Sequence, residues 1–183
     1  MKADARNRRG SVFVYVSGAG SCVRVPGIIE ALIAHDVDVF SVLTPNVSQV
    51  TDPERLMAVD GNQWIRDYGH SPLDRFPFGV QLVAPCTFNT LNKIVYGLAD
   101  NLAVSMIGDA LGAGCPMLVA LGMNAGQWAN PRAQASCATL REWGVRCWHP
   151  RWTGCGLRWP GSRRSWTELL RCLAIGPASD HAL

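Results

Sequence analysis

Two side-chain amides follow an apolar run late in this 183-residue chain. The segment "GMNAGQW" (122–128) places Asn124 and Gln127 three positions apart, directly after residues typical of a buried strand. An asparagine side chain offers two N–H donors and one carbonyl acceptor, which suits the recognition of a polar ligand in a crevice. The alternative is an asparagine that only ties down a loop.

A second segment crowds polar groups at the start of a helix. In "APCTFNTLNK" (84–93), Pro85 is expected to stop a strand, and Asn89, Thr90 and Asn92 follow it. A helix cap needs only one such side chain. The excess therefore favours a planar, hydrogen-bonding ligand such as a flavin ring.

A glycine-containing turn is a weaker signal near the N-terminus. In "SGAGSCVRVP" (17–26), small residues would let backbone N–H groups and a helix N-terminus approach a phosphate. Only Gly18 and Gly20 have the spacing of a dinucleotide-binding motif, so a plain tight turn is an equal alternative. Thr44, in "LTPN" (43–46), either donates to the same phosphate or caps the next helix.

The longest helical region, roughly residues 88–113, is expected to divide near Gly97 or Asp100. Its segment "GLADNLA" (97–103) interrupts apolar residues with Asp100 and Asn101. These two side chains either join the ligand site or cap the second of the two helices. The residue types do not separate these alternatives.

Apolar strands alternate with helices along the chain. This alternation predicts an α/β fold, a Rossmann-like three-layer α/β/α sandwich with a parallel sheet. Ligands of such folds bind at the carboxyl ends of the strands, where each motif above is placed. The predicted strands are 11–18, 37–43, 80–84, 116–121 and 145–149, and the predicted helices open at Pro26 and cover 88–113 and 131–144.

Composition excludes several classes of protein. The chain is 48% hydrophobic and 17% charged, as globular proteins are, and a net charge of +3 gives no case for nucleic acid. Seven cysteines without a C-x-x-C pair or a signal peptide predict reduced thiols in a cytoplasmic protein, with neither a disulfide framework nor a metal site. No apolar stretch is long and clean enough to span a membrane.

Three parts are expected from the distribution of charge. Residues 1–10 form a basic arm, most simply a disordered tail, and residues 11–150 form the ligand-binding domain. Residues 151–183 are rich in Trp and Arg; from Arg141 onward there are seven Arg and five of the seven Trp. That segment either clamps an anionic or peptidic substrate or is a solvated or subunit-packed end.

Two blocks of the sequence, "APCTFNTLNKIVYGLADNLA" (84–103) and "GMNAGQWANPRAQASCATLREWGV" (122–145), together resemble the homo-oligomeric flavin-containing cysteine decarboxylases. This flavoprotein family includes phosphopantothenoylcysteine decarboxylase and the peptidyl-cysteine decarboxylases of lantibiotic and related modified-peptide biosynthesis. Its hallmarks are A-P-x-x-x-N-T with D-N-L downstream, and P-x-M-N-x-x-M-W followed by N-P. Leu121 and Gln127 depart from the second hallmark, where the family usually has Pro and Met. The matching residues are Ala84, Pro85, Asn89, Thr90, Asp100, Asn101, Leu102, Met123, Asn124, Trp128, Asn130 and Pro131.

The resemblance implies a bound flavin, with FMN favoured over FAD because no acidic residue for an adenosine ribose is evident. It also implies that Asn124 faces the flavin and holds the substrate carboxylate, and that His70 of "HSPL" (70–73) is the catalytic base. The cofactor-binding residues are then Gly18, Gly20, Ser21, Arg24, Thr44, Pro85, Thr87, Asn89, Thr90, Asp100 and Met123. The substrate-binding residues are Asn124, Gln127, Trp128 and Cys155.

The implied reaction follows from the chemistry of a terminal cysteine. Its carboxylate loses CO2 poorly until oxidation of the thiol carbon creates a thioaldehyde that can accept the electrons, giving an enethiol. The coenzyme A enzyme reduces that enethiol with a Cys in A-C-G-D-x-G-x-G, whereas "GCGLRWPGSRR" (154–164) keeps Cys155 but lacks the Asp and the glycine pattern. Cys155 is then either a substrate contact or an incidental thiol.

We therefore expect decarboxylation of the C-terminal Cys of a precursor peptide to an aminoenethiol. Phosphopantothenoylcysteine decarboxylase is the alternative, and a non-catalytic flavin-binding regulatory subunit is the second alternative. The resemblance also implies assembly as a homotrimer or homododecamer.

Overall fold

The computed structural model describes residues 10–69, 71–148, 152–153 and 156–157. The expected base His70 and the expected substrate contact Cys155 lie outside the described residues. The division of the chain into the three parts named above therefore stays a prediction.

Six parallel strands form one sheet, which confirms the predicted Rossmann-like fold. They are β1 Ser11–Val16, β2 Asp38–Leu43, β3 Asn62–Ile65, β4 Val80–Cys86, β5 Met117–Leu121 and β6 Arg146–Trp148. Across the sheet the order is β3-β2-β1-β4-β5-β6. Tyr15 of β1 pairs with Val42 of β2 on one side and Val83 of β4 on the other. The chain order thus reverses between β1 and β4, which is where this fold opens a ligand crevice.

The short strand β3 is absent from the sequence-based prediction. It has only four residues and pairs with β2 alone, at the edge of the sheet. Asn62 and Gln63 interrupt its apolar pattern because an edge strand is less deeply buried than a central one.

The described residues contain six α-helices. They are α1 Val25–Ile33, α2 Pro53–Met57, α3 Phe88–Tyr96, α4 Leu102–Gly112, α5 Ala125–Ala129 and α6 Pro131–Glu142. Short 3-10 helices cover Gly20–Arg24, Pro45–Gln49 and Ser71–Arg75, and two-residue strands Trp152–Thr153 and Gly156–Leu157 pair antiparallel.

Alternate residues of β1 face two different helical layers. Val12, Val14 and Val16 pack with residues of α1 and α2, whereas Phe13 and Tyr15 pack with α3, α4 and α6. All five side chains are buried, because both faces of a parallel sheet are covered in this architecture. The predicted three-layer sandwich is confirmed.

The division of the long helical region falls at Gly97, as predicted. Gly97 ends α3 with a φ of 65°, in the left-handed region that glycine adopts readily. Asn101 then begins α4, and its Oδ1 accepts a hydrogen bond from the Val104 N–H at 3.3 Å. The capping interpretation is therefore right for Asn101.

The expectation that Pro85 stops its strand is wrong. Strand β4 runs through Pro85 to Cys86, and its register with β5 shifts between Val83 and Cys86. Proline has no N–H to donate to a neighbouring strand. The register shift between Val83 and Cys86 places Pro85 in an irregular part of the ladder, where no hydrogen bond from its nitrogen is required. The Pro85 carbonyl accepts hydrogen bonds from Ser17, the residue that follows β1.

Thiols within the described ranges are free at Cys22, Cys86, Cys115, Cys137 and Cys147. Burial raises the pKa of Cys22 and Cys86, which adjoin the loops after β1 and β4, so both thiols are protonated at neutral pH. No helix in the described ranges combines the length and the apolar character needed to cross a membrane.

We expect Gly79→Ala to lower the free energy of unfolding by about 1–3 kcal/mol. Gly79 has a φ of 69°, and an added Cβ would lie 2.5 Å from the backbone oxygen of Ser11. Gly108→Ala, on the exposed side of α4 with nothing within 4 Å of the added Cβ, is the control and should stabilise by about 0.5–1 kcal/mol. Denaturant titration followed by circular dichroism measures both changes. Equal effects at the two glycines would contradict the conformation described for Gly79.

Candidate functional site

A cleft of about 960 Å³ opens at the carboxyl ends of the central strands. It lies between the segments that follow β1, β2, β4 and β5, and so includes the point where the strand order reverses. This is the ligand crevice that the fold predicts.

Most of the residues expected from the sequence line this one cleft. They are Gly18, Gly20, Ser21, Arg24, Thr44, Thr87, Asn89, Thr90, Asp100, Met123, Asn124 and Gln127. Asn101, expected from the sequence to be either a ligand-site residue or a cap, also lines the cleft. The lining includes further residues that the sequence-based list lacks, namely Ala19, Val23, Pro45, Asn46, Phe88, Lys93 and Gly122.

Two of the expected residues are placed elsewhere. Pro85 is buried beneath Gly122, where a Cβ added to the glycine would lie 2.5 Å from the Cβ of Pro85. Trp128 is half-buried and packs on the core that α3, α4 and α6 share. Their assignments to cofactor and substrate stay predictions, and the structure gives them packing positions at the margin of the site.

Ser17 joins the ends of β1 and β4 beneath the cleft. Its Oγ donates to the Pro85 carbonyl at 2.6 Å and accepts from the Thr87 N–H at 2.9 Å. The side chain is buried, so these hydrogen bonds have no competition from water. The only sequence signal for this role is a small polar residue at the end of an apolar strand, which gives no indication of partners 68 and 70 positions away.

Most of the polar groups at the start of α3 have local structural roles. Thr87 caps the helix, and its Oγ1 accepts from the Thr90 N–H and donates to the Thr90 Oγ1. Asn92 donates to the Phe88 carbonyl and accepts from Ser136 on α6, so it holds two helices together. Asn89 is the exposed member of the group and faces the cleft.

Two glycines allow backbone segments to meet under the cleft. A Cβ added to Gly18 would lie 2.4 Å from the backbone oxygen of Asn46, so the loops after β1 and β2 touch there. A Cβ added to Gly122 would lie 3.3 Å from the Ser21 Oγ as well as against Pro85. Gly20 has open space around it, so its place in the motif is not required by packing.

The Ser21 hydroxyl is a buried polar group that lacks a partner within the described residues. It lies in the wall of the cleft beside Gly122. Leaving a buried hydroxyl unpaired costs about 1–3 kcal/mol. Such a group is suited to a ligand that brings its own acceptor.

Asn124 caps α5 and keeps part of its amide available. Its Oδ1 accepts from the Gln127 N–H at 2.8 Å, so the loop-fixing role considered from the sequence is present. This bond sets the orientation of the amide, because the oxygen faces the helix and the two Nδ2 hydrogens remain for another acceptor. The side chain is exposed in the cleft. Capping and ligand binding are therefore compatible at this residue.

An ion pair occupies the wall formed by α3 and the start of α4. Lys93 Nζ lies 2.5 Å from Asp100 Oδ2, and Asn101 Nδ2 donates to Asp100 Oδ1 at 3.0 Å. The hydrogen bond from Lys93 lowers the pKa of Asp100, which keeps this carboxylate ionised at neutral pH. Lys93 follows Asn89 by one helical turn, a spacing that could have indicated its position on the cleft face.

Thr44 begins the 3-10 helix Pro45–Gln49 without a capping hydrogen bond from its side chain. Its backbone N–H donates to the Val16 carbonyl, which ties the end of β2 to β1. Of the two alternatives for its hydroxyl, the cap is therefore wrong, and contact with a ligand stays a prediction. Within the described residues, no group of three or more His, Cys, Asp or Glu side chains is arranged to hold a metal ion.

The chain belongs to the Flavoprotein family, whose model matches residues 2–174. Phosphopantothenoylcysteine decarboxylase HAL3a of Glycine max is 27% identical over 155 residues, covering 79% of this chain and 72% of that protein. The solved structure of SpaF, an FMN-dependent cysteine decarboxylase, is 27% identical, with a TM-score of 0.71 over 92% of this chain and 98% of that one.

A much longer protein is also similar to this chain. A probable thymidylate synthase of Schizosaccharomyces pombe is 31% identical over 142 residues, which cover 70% of this chain. This chain spans only 22% of that protein's length.

We expect Ser17→Ala to lower the free energy of unfolding by about 1–3 kcal/mol, because it leaves the part-buried Thr87 N–H without its acceptor. Ser48→Ala is the matched control. Ser48 is exposed and donates only to the nearby Pro45 carbonyl, so its loss should cost no more than about 0.5 kcal/mol. Denaturant unfolding measures both variants. A Ser17→Ala protein as stable as Ser48→Ala would contradict the bridging role.

Proposed function

We propose that this protein is an FMN-dependent cysteine decarboxylase that acts on the C-terminal Cys of a precursor peptide. One observation carries the proposal. Asn89 from the first motif block and Asn124 from the second line the same cleft, at the reversal of strand order. The unpaired Ser21 hydroxyl supports a ligand in that cleft.

The residues divide into two ends that suit the two parts of FMN. Gly18, Ser21, Arg24 and Thr44 follow β1 and β2 and offer backbone N–H groups, hydroxyls and a guanidinium to a phosphate. The residues that follow β4 and β5 include Asn89 and offer amide groups and the buried Met123 to a planar ring. FMN is preferred to FAD because the loop after β1 is short and no acidic residue for an adenosine ribose is evident.

Asn124 is proposed to hold the substrate carboxylate. Its carbonyl is already used in the cap, and its two N–H donors are the groups that a carboxylate needs. His70 is proposed as the base that takes the thiol proton, on the basis of its place in the motif and the pKa of imidazole. A bound FMN supplies the two-electron acceptor for oxidation of the thiol carbon. Release of CO2 then leaves an aminoenethiol.

The choice of a peptide as substrate rests on the sequence after Trp148. Residues 154–164 lack the Asp and glycine pattern with which the coenzyme A enzyme completes its reaction, and Trp and Arg residues replace it. Phosphopantothenoylcysteine decarboxylase remains the second candidate, and the similarity to the Glycine max enzyme favours it. A homotrimer or homododecamer, as in the family that the chain resembles, is part of the proposal.

A flavin-binding regulatory subunit would bind the same cofactor without turnover. Anaerobic mixing of the FMN-loaded protein with a Cys-terminated peptide separates this alternative from an enzyme. Bleaching of the flavin absorbance supports catalysis, whereas an unchanged oxidised spectrum supports the regulatory role.

The purified protein should be yellow and bind FMN noncovalently. Asn89→Asp should weaken FMN binding by about tenfold, because a carboxylate replaces an exposed amide in the cleft wall. Gln63→Glu adds the same charge on the exposed edge strand β3 and is the control that should bind FMN normally. Fluorescence titration with FMN measures both. A colourless protein that takes up neither FMN nor FAD would refute the cofactor assignment.

Two substitutions should strongly reduce turnover and leave the fold intact. His70→Asn removes the proposed base and should slow turnover by about 10²–10⁴-fold while FMN stays bound. Asn124→Asp keeps a residue that caps α5 well but sets a carboxylate against the substrate carboxylate. Asn130→Asp is the control, because Asn130 caps α6 in the same way outside the cleft lining.

Mass spectrometry of a Cys-terminated peptide reads out these variants. The product should be lighter by about 46 Da, the mass of the CO2 released and of the two hydrogens that the peptide loses in the oxidation. Loss of CO2 alone, or a preference for phosphopantothenoylcysteine over every Cys-terminated peptide, would favour the second candidate. Wild-type turnover in both His70→Asn and Asn124→Asp would overturn the proposed mechanism.

A further inference from the structure

Lys93 places a positive charge in the cleft wall at the end of the site formed by α3. It lies one helical turn after Asn89, and its side chain is only 20% exposed. Asp100 accepts one of its hydrogen bonds, and the second carboxylate oxygen of Asp100 is taken by Asn101. An ammonium group has three N–H donors, so Lys93 keeps donors for a ligand after the ion pair is made.

Hydrogen bonds at the end of α3 and at the start of α4 fix the position of Lys93. Its carbonyl accepts from the Leu98 N–H, which closes the end of α3. Asn101, which donates to Asp100, is itself fixed as the cap of α4. The ammonium group is therefore anchored through Asp100 to the start of α4, and a flexible lysine is converted into a positioned charge.

Charged side chains in the described lining come from two different segments of the chain. Arg24 follows β1, at the end proposed for the phosphate, whereas Lys93 and Asp100 follow β4, at the end proposed for the ring. The phosphate therefore has a cation of its own on the β1 side. This leaves Lys93 for a different negative charge.

We propose that Lys93 supplies the positive charge that favours the reduced form of the bound flavin, and that Asp100 positions this lysine and partly offsets its charge. The inference rests on the proposed function. Oxidation of the cysteine thiolate transfers two electrons and one proton from its β-carbon to the flavin, which leaves the substrate as a neutral thioaldehyde and the flavin with one added negative charge. A cation at the ring end of the cleft stabilises that charge, and the loss of the cation disfavours reduction.

A purely structural ion pair predicts a different outcome from a charge that acts on the flavin. Lys93→Met and Asp100→Asn both break the ion pair, so a structural role would change the flavin in the same direction in both variants. A charge effect has opposite signs. Lys93→Met removes a positive charge and makes the flavin harder to reduce, whereas Asp100→Asn removes a negative charge and makes it easier to reduce.

The test is the two-electron midpoint potential of the FMN-loaded protein, measured by slow anaerobic reduction against a reference dye. We expect Lys93→Met to lose about tenfold in its preference for reduced over oxidised FMN, a shift of about 30 mV to more negative potential. Asp100→Asn should shift the potential to more positive values. Lys93→Arg keeps the charge and should stay close to wild type.

The outcomes separate this inference from the proposed function. Shifts in the same direction in Lys93→Met and Asp100→Asn, or potentials unchanged in both, would overturn the role of Lys93 while the flavin stays bound. Wild-type protein that binds no flavin would overturn the proposed function and this inference with it. If Lys93→Met fails to bind FMN, Asp100→Asn decides, because only a shift to more positive potential agrees with a charge acting on the flavin.

Discussion

The site depends on the hydrogen bonds that Ser17 makes between the ends of β1 and β4. The two strands must separate at the reversal of strand order to open a cleft, and separation leaves backbone groups without ladder partners. Ser17 satisfies the Pro85 carbonyl and the Thr87 N–H with one hydroxyl. Because Thr87 caps α3, this hydroxyl also determines where that helix starts, and with it the positions of Asn89 and Lys93.

Much of the fold could be predicted from the sequence because its central strands are continuously apolar and its helices are amphipathic. The break at Gly97 was also predictable, since a glycine followed by Asp and Asn is typical of a helix end and a new cap. The edge strand β3 was not, because edge strands lack the burial that produces a clear pattern. The end of β4 was predicted wrongly at Pro85 because the strand is irregular there, and a register shift cannot be read from local sequence.

The candidate site was predictable to the extent that its residues lie in local motifs. Asn89 and Asn124 belong to such motifs, and both line the cleft. Ser17 acquires its role only from residues far away in the chain, so no local spacing could identify it. The sequence also overestimated the polar groups available at α3, because Thr90 and Asn92 are used within the protein.

Two polar side chains of the cleft make a structural hydrogen bond and still keep donors for a ligand. Asn124 uses its oxygen for the helix cap and keeps its N–H donors, and Lys93 uses one donor for Asp100 and keeps the others. In each case the structural bond fixes the orientation of the group that faces the cleft. Orienting these groups before a ligand arrives lowers the entropy cost of binding. A substitution that keeps the structural bond but changes the remaining donors or charge is therefore the change that separates function from folding in this cleft.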